Sequence, residues 1–491
     1  MTKGFAFRKH WGAELLPSGE GRFRLWAPGV PSLEVVVGEG EGLPMQAAGD
    51  GWFELTTDRL RTGDSYAFQL PDGRRVPDPA ARAQAGDVHG PSLLVDPLAY
   101  EWRRPEWRGR PWEEAVIYEL HSGAFSADGT FAGIEARLDH LADTGVTAVE
   151  IMPVAQFGGN RGWGYDGVLL YAPHRAYGGA EGLKALVDAA HERGLMVLLD
   201  VVYNHFGPEG NYLHAYAEDF FDAARETPWG PAIAYQRQAV RDFFIDNALY
   251  WLEEYRLDGL RLDAINEIQD PSDEHILETL AKAARAQFPD RHLHLTTEDD
   301  RNIVGLHPRD PAGRPRLYTA EWNDDFHHAA HVAATGESDG YYVDYSDDPV
   351  AGLARGLAEG FIYQGEVSQF WGDEPRGEMS SGQPPTAFVN FIQNHDQIGN
   401  RALGERLTSL APAKAVEALT AILLLSPQIP LLFMGEDWGE THPFAFFTDF
   451  HGELADAVRE GRRREFRRFP AFADPAARER IPDPNAENTF R

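Results

Sequence analysis

Four clusters of carboxylate, amide and imidazole side chains close apolar runs of this sequence. They are Asp200-Val-Val-Tyr-Asn204-His205, Arg261-Leu-Asp263, Thr296-Thr-Glu298-Asp-Asp300 and Gln393-Asn-His395-Asp396. Each preceding run has the composition of a buried strand, so each cluster falls at a strand's carboxyl end. Cleavage of an acetal needs one carboxylate to attack or stabilise an oxocarbenium-like centre, and one carboxylic acid to protonate the departing oxygen. Asp263 is the expected nucleophile, Glu298 the expected general acid/base and Asp396 the third carboxylate. Period-two geometry points Arg261 to the same side as Asp263, where ion pairing would hold the nucleophile charged. Glu298, less compensated and partly buried, would keep its proton. Any one cluster alone reads equally well as a polar strand end capping the next helix; four in order argue against that. His205 and His395 would each ordinarily be structural partners, but beside carboxylates at one mouth they are expected to bind ligand.

The elements that must position these groups follow from the alternation of apolar strand, polar loop and amphipathic helix after Val116. Strands are expected at 116–121, 148–153, 196–203, 259–264, 292–298, 318–322, 388–394 and 430–434. Helices are expected at 134–144, 182–193, 238–255, 276–286 and 413–425, the last started by Pro412. Eight buried strands alternating with helices predict an α/β fold of the (β/α)₈ TIM barrel class, with active residues at the carboxyl ends of the strands. Residues 206–237 form an enlarged loop after the third strand. Short strands at Phe23–Trp26, Leu33–Val37, Gly51–Leu55 and Ser65–Gln69, separated by turn residues, predict an N-terminal β-sandwich. The expected domains are therefore a sandwich over 1–98, a Pro-, Trp- and Arg-rich linker over 99–113 and the catalytic barrel over 114–491. Residues 452–466 read as a helix inserted before the true eighth helix. The chain is expected to stop before that helix and before any C-terminal β domain, baring apolar surface around Ile429, Leu431 and Phe433.

Composition narrows the partners. Lys and Arg number 45 against 77 Asp and Glu, a formal charge of -32, which disfavours nucleic acid and acidic membranes. There is no cysteine, which excludes disulfides, thiolate metal sites and a cysteine nucleophile. The N-terminus has no apolar signal region and no stretch is long enough to span a bilayer, so a cytoplasmic location is expected. Trp163 and Tyr165 flank Gly164 in a Gly-rich loop that offers little core to fill, and are expected to stack on sugar rings. Trp229, in the enlarged loop, is a weaker candidate.

The four clusters resemble the four ordered signature regions of the α-amylase superfamily. That resemblance implies a glycosyl-enzyme at Asp263, acid/base catalysis by Glu298, and transition-state stabilisation by Asp396. It also implies that Arg261, His205 and His395 orient the nucleophile and bind hydroxyls beside the cleaved bond. Finer blocks, Arg161-Gly-Trp-Gly-Tyr-Asp166-Gly167, Asn323-Asp-Asp-Phe-His-His328 and Ile392-Gln-Asn-His-Asp-Gln-Ile-Gly-Asn-Arg401, resemble one subfamily, the maltooligosyltrehalose trehalohydrolases. This implies maltooligosyltrehalose and related α-glucans as substrates, and hydrolysis of the α-1,4 bond next to trehalose. It implies a groove lined by Asn266, Asp166, Asp324, Asp325, His327, His328, Gln397 and Asn400. No cofactor is implied, and no metal is expected, although Asn204 matches a calcium-binding position of α-amylases. A glucan branching or debranching enzyme is the alternative within the superfamily, and an inactive glucan-binding barrel the alternative outside catalysis. Oligomeric state is not legible.

Overall fold

Eight parallel strands close into a barrel in the computed structural model, which describes residues 4–490. The outermost residues of the expected domains, 1–3 and 491, lie outside the described residues. The barrel strands are β1 (Ile117–Leu120), β2 (Ala148–Ile151), β3 (Met196–Val201), β4 (Gly259–Leu262), β5 (His294–Thr297), β6 (Ala320–Trp322), β7 (Phe388–Phe391) and β8 (Ile429–Phe433). They pair in sequence order, and β8 returns to β1 with Leu431 opposite Ile117. Alternation along each strand sorts the core into two layers. Ile117, Ala148, Met196, Trp322, Phe391 and Leu431 fill the interior, while Tyr118, Val149, Val197 and Leu260 face the helices. All eight strands stand where the sequence places them, but all except β6 end earlier at their carboxyl ends. There the polar clusters leave the ladder and turn into loops.

The surrounding helices are α1 (Leu138–Asp143), α2 (Gly179–Glu192), α3 (Gln238–Glu254), α4 (Ile276–Gln287), α5 (Asp324–Thr335), α6 (Pro349–Glu359), α7 (Ala413–Leu425) and α8 (Gly452–Glu465). In α4 the buried residues Ile276, Leu277, Leu280, Ala281 and Ala284 form one stripe at helical spacing. α5 and α6 were not legible, because the small and histidine-rich text of α5 carries no such stripe. The enlarged loop contains a hairpin, Phe221–Thr227 against Gly230–Ile233. No helix among the described residues is long and apolar enough to cross a membrane.

Two antiparallel sheets precede the barrel. One runs Gly12–Leu15, Gly21–Trp26, Trp52–Thr57 and Gln46–Gly49; the other is built on Glu34–Val37 and Ser65–Gln69. Phe23 of the first meets Tyr66 of the second, ring centroids 4.9 Å apart, across the sandwich interior. The sandwich rests on α3: the Trp11 indole N–H donates to Ala239 O at 2.9 Å, and buried Arg82 pairs with buried Glu254 at 3.0 Å. The segment that follows lies across the barrel's flank, its Trp107 indole donating to Asp258 at 2.8 Å.

One expectation is overturned. Ile429 and Leu431 are buried in the barrel interior, and Phe433 is buried against Phe444, centroids 5.1 Å apart. Strand phase turns the first two residues inward, and the segment after β8 folds back over the third. The exposed apolar residues near this place are Ile422, Leu424 and Leu425 of α7. The expected helix at 452–466 is present as α8, tied to the barrel mouth by Arg462, which donates to Gly399 O at 2.7 Å.

Candidate active site

Arg261 organises the barrel mouth. It projects from β4 into the interior, fully buried, with its guanidinium carbon 4.2 Å from the ring centroid of Trp322 on β6. Nη1 donates to Asp200 at 2.7 Å and to Asp263 at 2.8 Å, while Nη2 pairs with Glu298 at 2.9 Å. One planar fork thus holds both expected catalytic carboxylates. Asn204 donates to the second Asp263 oxygen at 3.3 Å, so that carboxylate is fixed at both ends.

Glu298 is more compensated than the sequence suggests. Ala264, directly after Asp263, has left-handed backbone with φ of 39°, a strained state for a residue bearing a Cβ. That turn aims its N–H at Glu298 Oε2, 2.8 Å away. Burial nevertheless raises the Glu298 carboxyl; Arg261 opposes the rise and the Asp263 charge adds to it.

Asp396 is the second residue of the helical turn His395–Gly399, whose first N–H groups are capped by Asn394, its side chain accepting from Gln397 N at 2.8 Å. Burial raises Asp396, and the neighbouring His395 pulls it back down. Asn400 donates to Asp396 at 2.6 Å. A cavity of about 350 Å³ opens here, lined by Glu298, Asp396, Asn266, Asp324, His328 and Gln397, among others. That volume accommodates a few sugar rings at most. A larger cavity of about 960 Å³, between Leu403–Phe447 and Glu479–Phe490, has none of the four clusters in its wall.

The structure separates the remaining expected residues into two groups. Asn266, Asp324, His328, Gln397, Asn400 and Trp229 reach the cavity. Burial, with the Glu298 and Asp396 charges, pushes Asp324 up to about 8, and Gln397 donates to it at 3.1 Å. Both His328 nitrogens are buried without a partner. Asp325 and His327 turn away. Asp325 is fully buried and accepts from Ile362 N at 2.7 Å and Tyr363 N at 2.8 Å, while His327 Nδ1 lies 2.9 Å from Ile392 O. The cause is helical phase: these residues are the first turns of α5, so Asp324 and His328 share one face and Asp325 and His327 do not.

Trp163 is also a correction. It is buried, stacked on Phe444 at 5.5 Å and 11°, and its indole donates to Ala445 O at 3.2 Å, so it is core and not a sugar platform. Tyr165 spends its hydroxyl on Asp200 at 2.6 Å and faces His395 at 2.8 Å. Asp166, next to it and half-buried, is pushed up to about 6 by burial and lies outside the cavity's lining. His205 has its nitrogens facing Asn204 Oδ1 and Tyr165 O at 2.6 and 2.9 Å. Its ring instead supports Trp229, stacked 4.2 Å away at 6°. Sequence reasoning missed the opposite wall, Tyr341, Phe370, Trp371 and Arg376. The signal available was Phe370-Trp371 in a polar loop beside Gly372, two large rings with no periodicity to bury them.

Comparison with known proteins agrees with this geometry. Residues 118–229 match the model of the alpha amylase catalytic domain. The chain is similar to malto-oligosyltrehalose trehalohydrolase of Deinococcus radiodurans, 43% identical over 98% of this chain and 78% of the relative. It is similar to the enzyme of the same name from Saccharolobus solfataricus, 41% identical over 90% of this chain and 78% of that one. A 1.4 Å crystal structure of a Salmonella typhimurium protein assigned as an alpha amylase is 58% identical, with a TM-score of 0.95 over 99% of this chain and 81% of that one. Identity of this order runs through sandwich and barrel alike, and by it the chain belongs to the malto-oligosyltrehalose trehalohydrolase family.

Proposed function

We propose that the chain hydrolyses the α-1,4-glucosidic bond next to the terminal trehalose unit of maltooligosyltrehalose. It releases trehalose and a maltooligosaccharide with retention of configuration. The observation that carries this reading is the single Arg261 fork shared by Asp263 and Glu298, beside a cavity that also exposes Asp396.

Asp263, oriented by Arg261 and Asn204, attacks the anomeric carbon as the glycosidic bond breaks. Glu298, its carboxyl raised by burial, gives its proton to the trehalose oxygen that leaves. The resulting Asp263 ester is opened by water, whose proton passes to Glu298 and whose oxygen ends on the maltooligosaccharide. Asp396 stabilises the positive charge on the sugar in both steps. Asp324, His328, Gln397, Asn400 and Asn266 supply hydrogen bonds along the groove, and Trp229 and Trp371 supply ring faces. Asp324, raised to about 8, is protonated at neutral pH and donates to a substrate oxygen. The chemistry needs only side chains and water. We place the protein in the cytoplasm on its lack of cysteine, and in trehalose biosynthesis on its likeness to the named trehalohydrolases.

The test is incubation with maltotriosyltrehalose, with products followed by proton NMR. Free trehalose and a maltooligosaccharide appearing first as its α-anomer support the reading, as expected for carboxyl groups about 5 to 5.5 Å apart. A β-anomer first, or glucan chains transferred to amylose without trehalose release, would overturn it.

A further inference from the structure

Below the catalytic carboxylates, Glu119 of β1 is buried at 1% exposure and reaches across the barrel to the residue preceding Asp396. One of its oxygens accepts the His395 backbone N–H at 3.0 Å, and the other meets ring Nδ1 of the same residue. On the far side, His395 Nε2 lies 2.8 Å from the Tyr165 hydroxyl. That hydroxyl has one hydrogen, and it is donated to Asp200 at 2.6 Å. Toward His395 it can offer only a lone pair. Nε2 therefore carries a proton, and Nδ1, facing a Glu119 carboxylate oxygen, is placed to carry the second.

We propose that Glu119 is a positioning residue that holds His395 as an imidazolium and, through that cation, keeps Asp396 ionised for catalysis. The hydrogen bonds run without a break from Glu119 through His395, Tyr165, Asp200 and Arg261 to Asp263.

The other groups facing the ring are consistent with this charge. Glu150 of β2 stands opposite Glu119 in register, and neither of its oxygens has a partner. Burial, then the Glu119 charge, push Glu150 well above the usual carboxylate range, which disfavours a second negative charge beside the ring. Asp200, raised by burial and restrained by Arg261, favours the charged ring both through Tyr165 and by direct attraction to His395. Arg261 and His121 are the opposing neighbours: the guanidinium disfavours a second cation, and His121 is lowered by its own burial to about 4 and so is neutral. Glu298 and Asp396 lie on the cavity side. Trp163 and Trp322 enclose the ring at 5.4 and 6.1 Å. Burial alone would lower His395; Glu119, with a smaller contribution from Asp396, offsets it and raises the ring to about 9.

Glu119→Gln separates charge from position. The amide still accepts the His395 N–H and donates to Nδ1, so the ring stays in place but becomes neutral. The expected result is an unchanged melting temperature and an acidic limb of kcat displaced upward by about one pH unit, because Asp396 has lost its adjacent cation. His395→Gln should displace the limb equally, and the double variant should add nothing further. An unmoved limb, or displacements that add, would overturn the proposal. Should E119Q fail to fold, the unaltered protein gives the answer. Its side-chain ¹H–¹⁵N spectrum at pH 8 should contain a doubly protonated imidazole that is missing from H395Q. A His395 ring with one bare nitrogen would overturn the proposal. The proposal rests on the hydrolytic reading of the site, but the spectrum requires no turnover, so a failure of either is recognisable by itself.

Discussion

Asp324 and Asp325, adjacent in the chain, face opposite ways. The first lines the cavity within 3.1 Å of Gln397. The second is sealed behind it, accepting two backbone N–H groups and the Arg376 guanidinium at 2.9 Å. Their alanine variants should therefore separate. D324A should lose no melting temperature, but should lose more activity on maltooligosyltrehalose than on plain maltooligosaccharides. D325A strands a buried arginine and should lose about 3 to 5 kcal/mol of stability. Thermal melts beside assays on both substrates decide this; equal melts for the two variants would contradict it.

Asp324 also carries a stability signature. Its folded value of about 8 stands above the ordinary aspartate value of 3.8, so between about pH 4 and pH 8 the folded state holds more protons than the unfolded one. Stability contributed by this group is then complete below about pH 4 and falls as pH rises toward about 8. D324N removes the titrating proton. Its melting temperature should exceed that of the unaltered protein at pH 8 and match it near pH 4, as differential scanning fluorimetry across pH would show.

Arg261 presents separate nitrogens to the two carboxylates, Nη1 to Asp263 and Nη2 to Glu298, and a lysine has one ammonium. R261K should fold, since the positive charge remains, but should lower kcat by about 10²-fold or more through loss of carboxylate orientation. Retention of more than a tenth of the turnover would show that charge alone suffices.

Trp163 fills core between Phe444 and His395. W163A should cost about 3 to 5 kcal/mol, the range for emptying a buried aromatic site. A raised KM with an unchanged melting temperature would restore the sugar-platform reading.

Much of this site is legible in the text, because the catalytic clusters are short, polar and attached to strands whose apolar runs announce themselves. Asp263, Glu298 and Asp396 come together through barrel closure, which the alternation of strand and helix already implies. What was illegible depended on distant segments. The loop around Trp163 becomes core only because Phe444 and Ala445, far along the chain, fold over it. Asp325 and His327 were misplaced because α5 begins at the strand end without a loop, and its phase cannot be read from a text of Asp, His and Ala. The wall carrying Tyr341, Phe370 and Trp371 belongs to an irregular stretch with no periodicity to predict from.

The seam between sandwich and α3 has a consequence for how the molecule comes apart. Separating the two lobes would expose Arg82 and Glu254, a bidentate pair at 4% and 1% side-chain exposure, together with the Trp11 ring that lies edge-on to Phe243 at 5.2 Å. Neither lobe can unfold while leaving that cluster intact. The helix that receives the sandwich is also the one leading into β4, the strand that delivers Arg261 and Asp263. Heat should therefore melt sandwich and barrel in one cooperative step, with a single calorimetric peak, and activity should vanish at the same temperature as the sandwich.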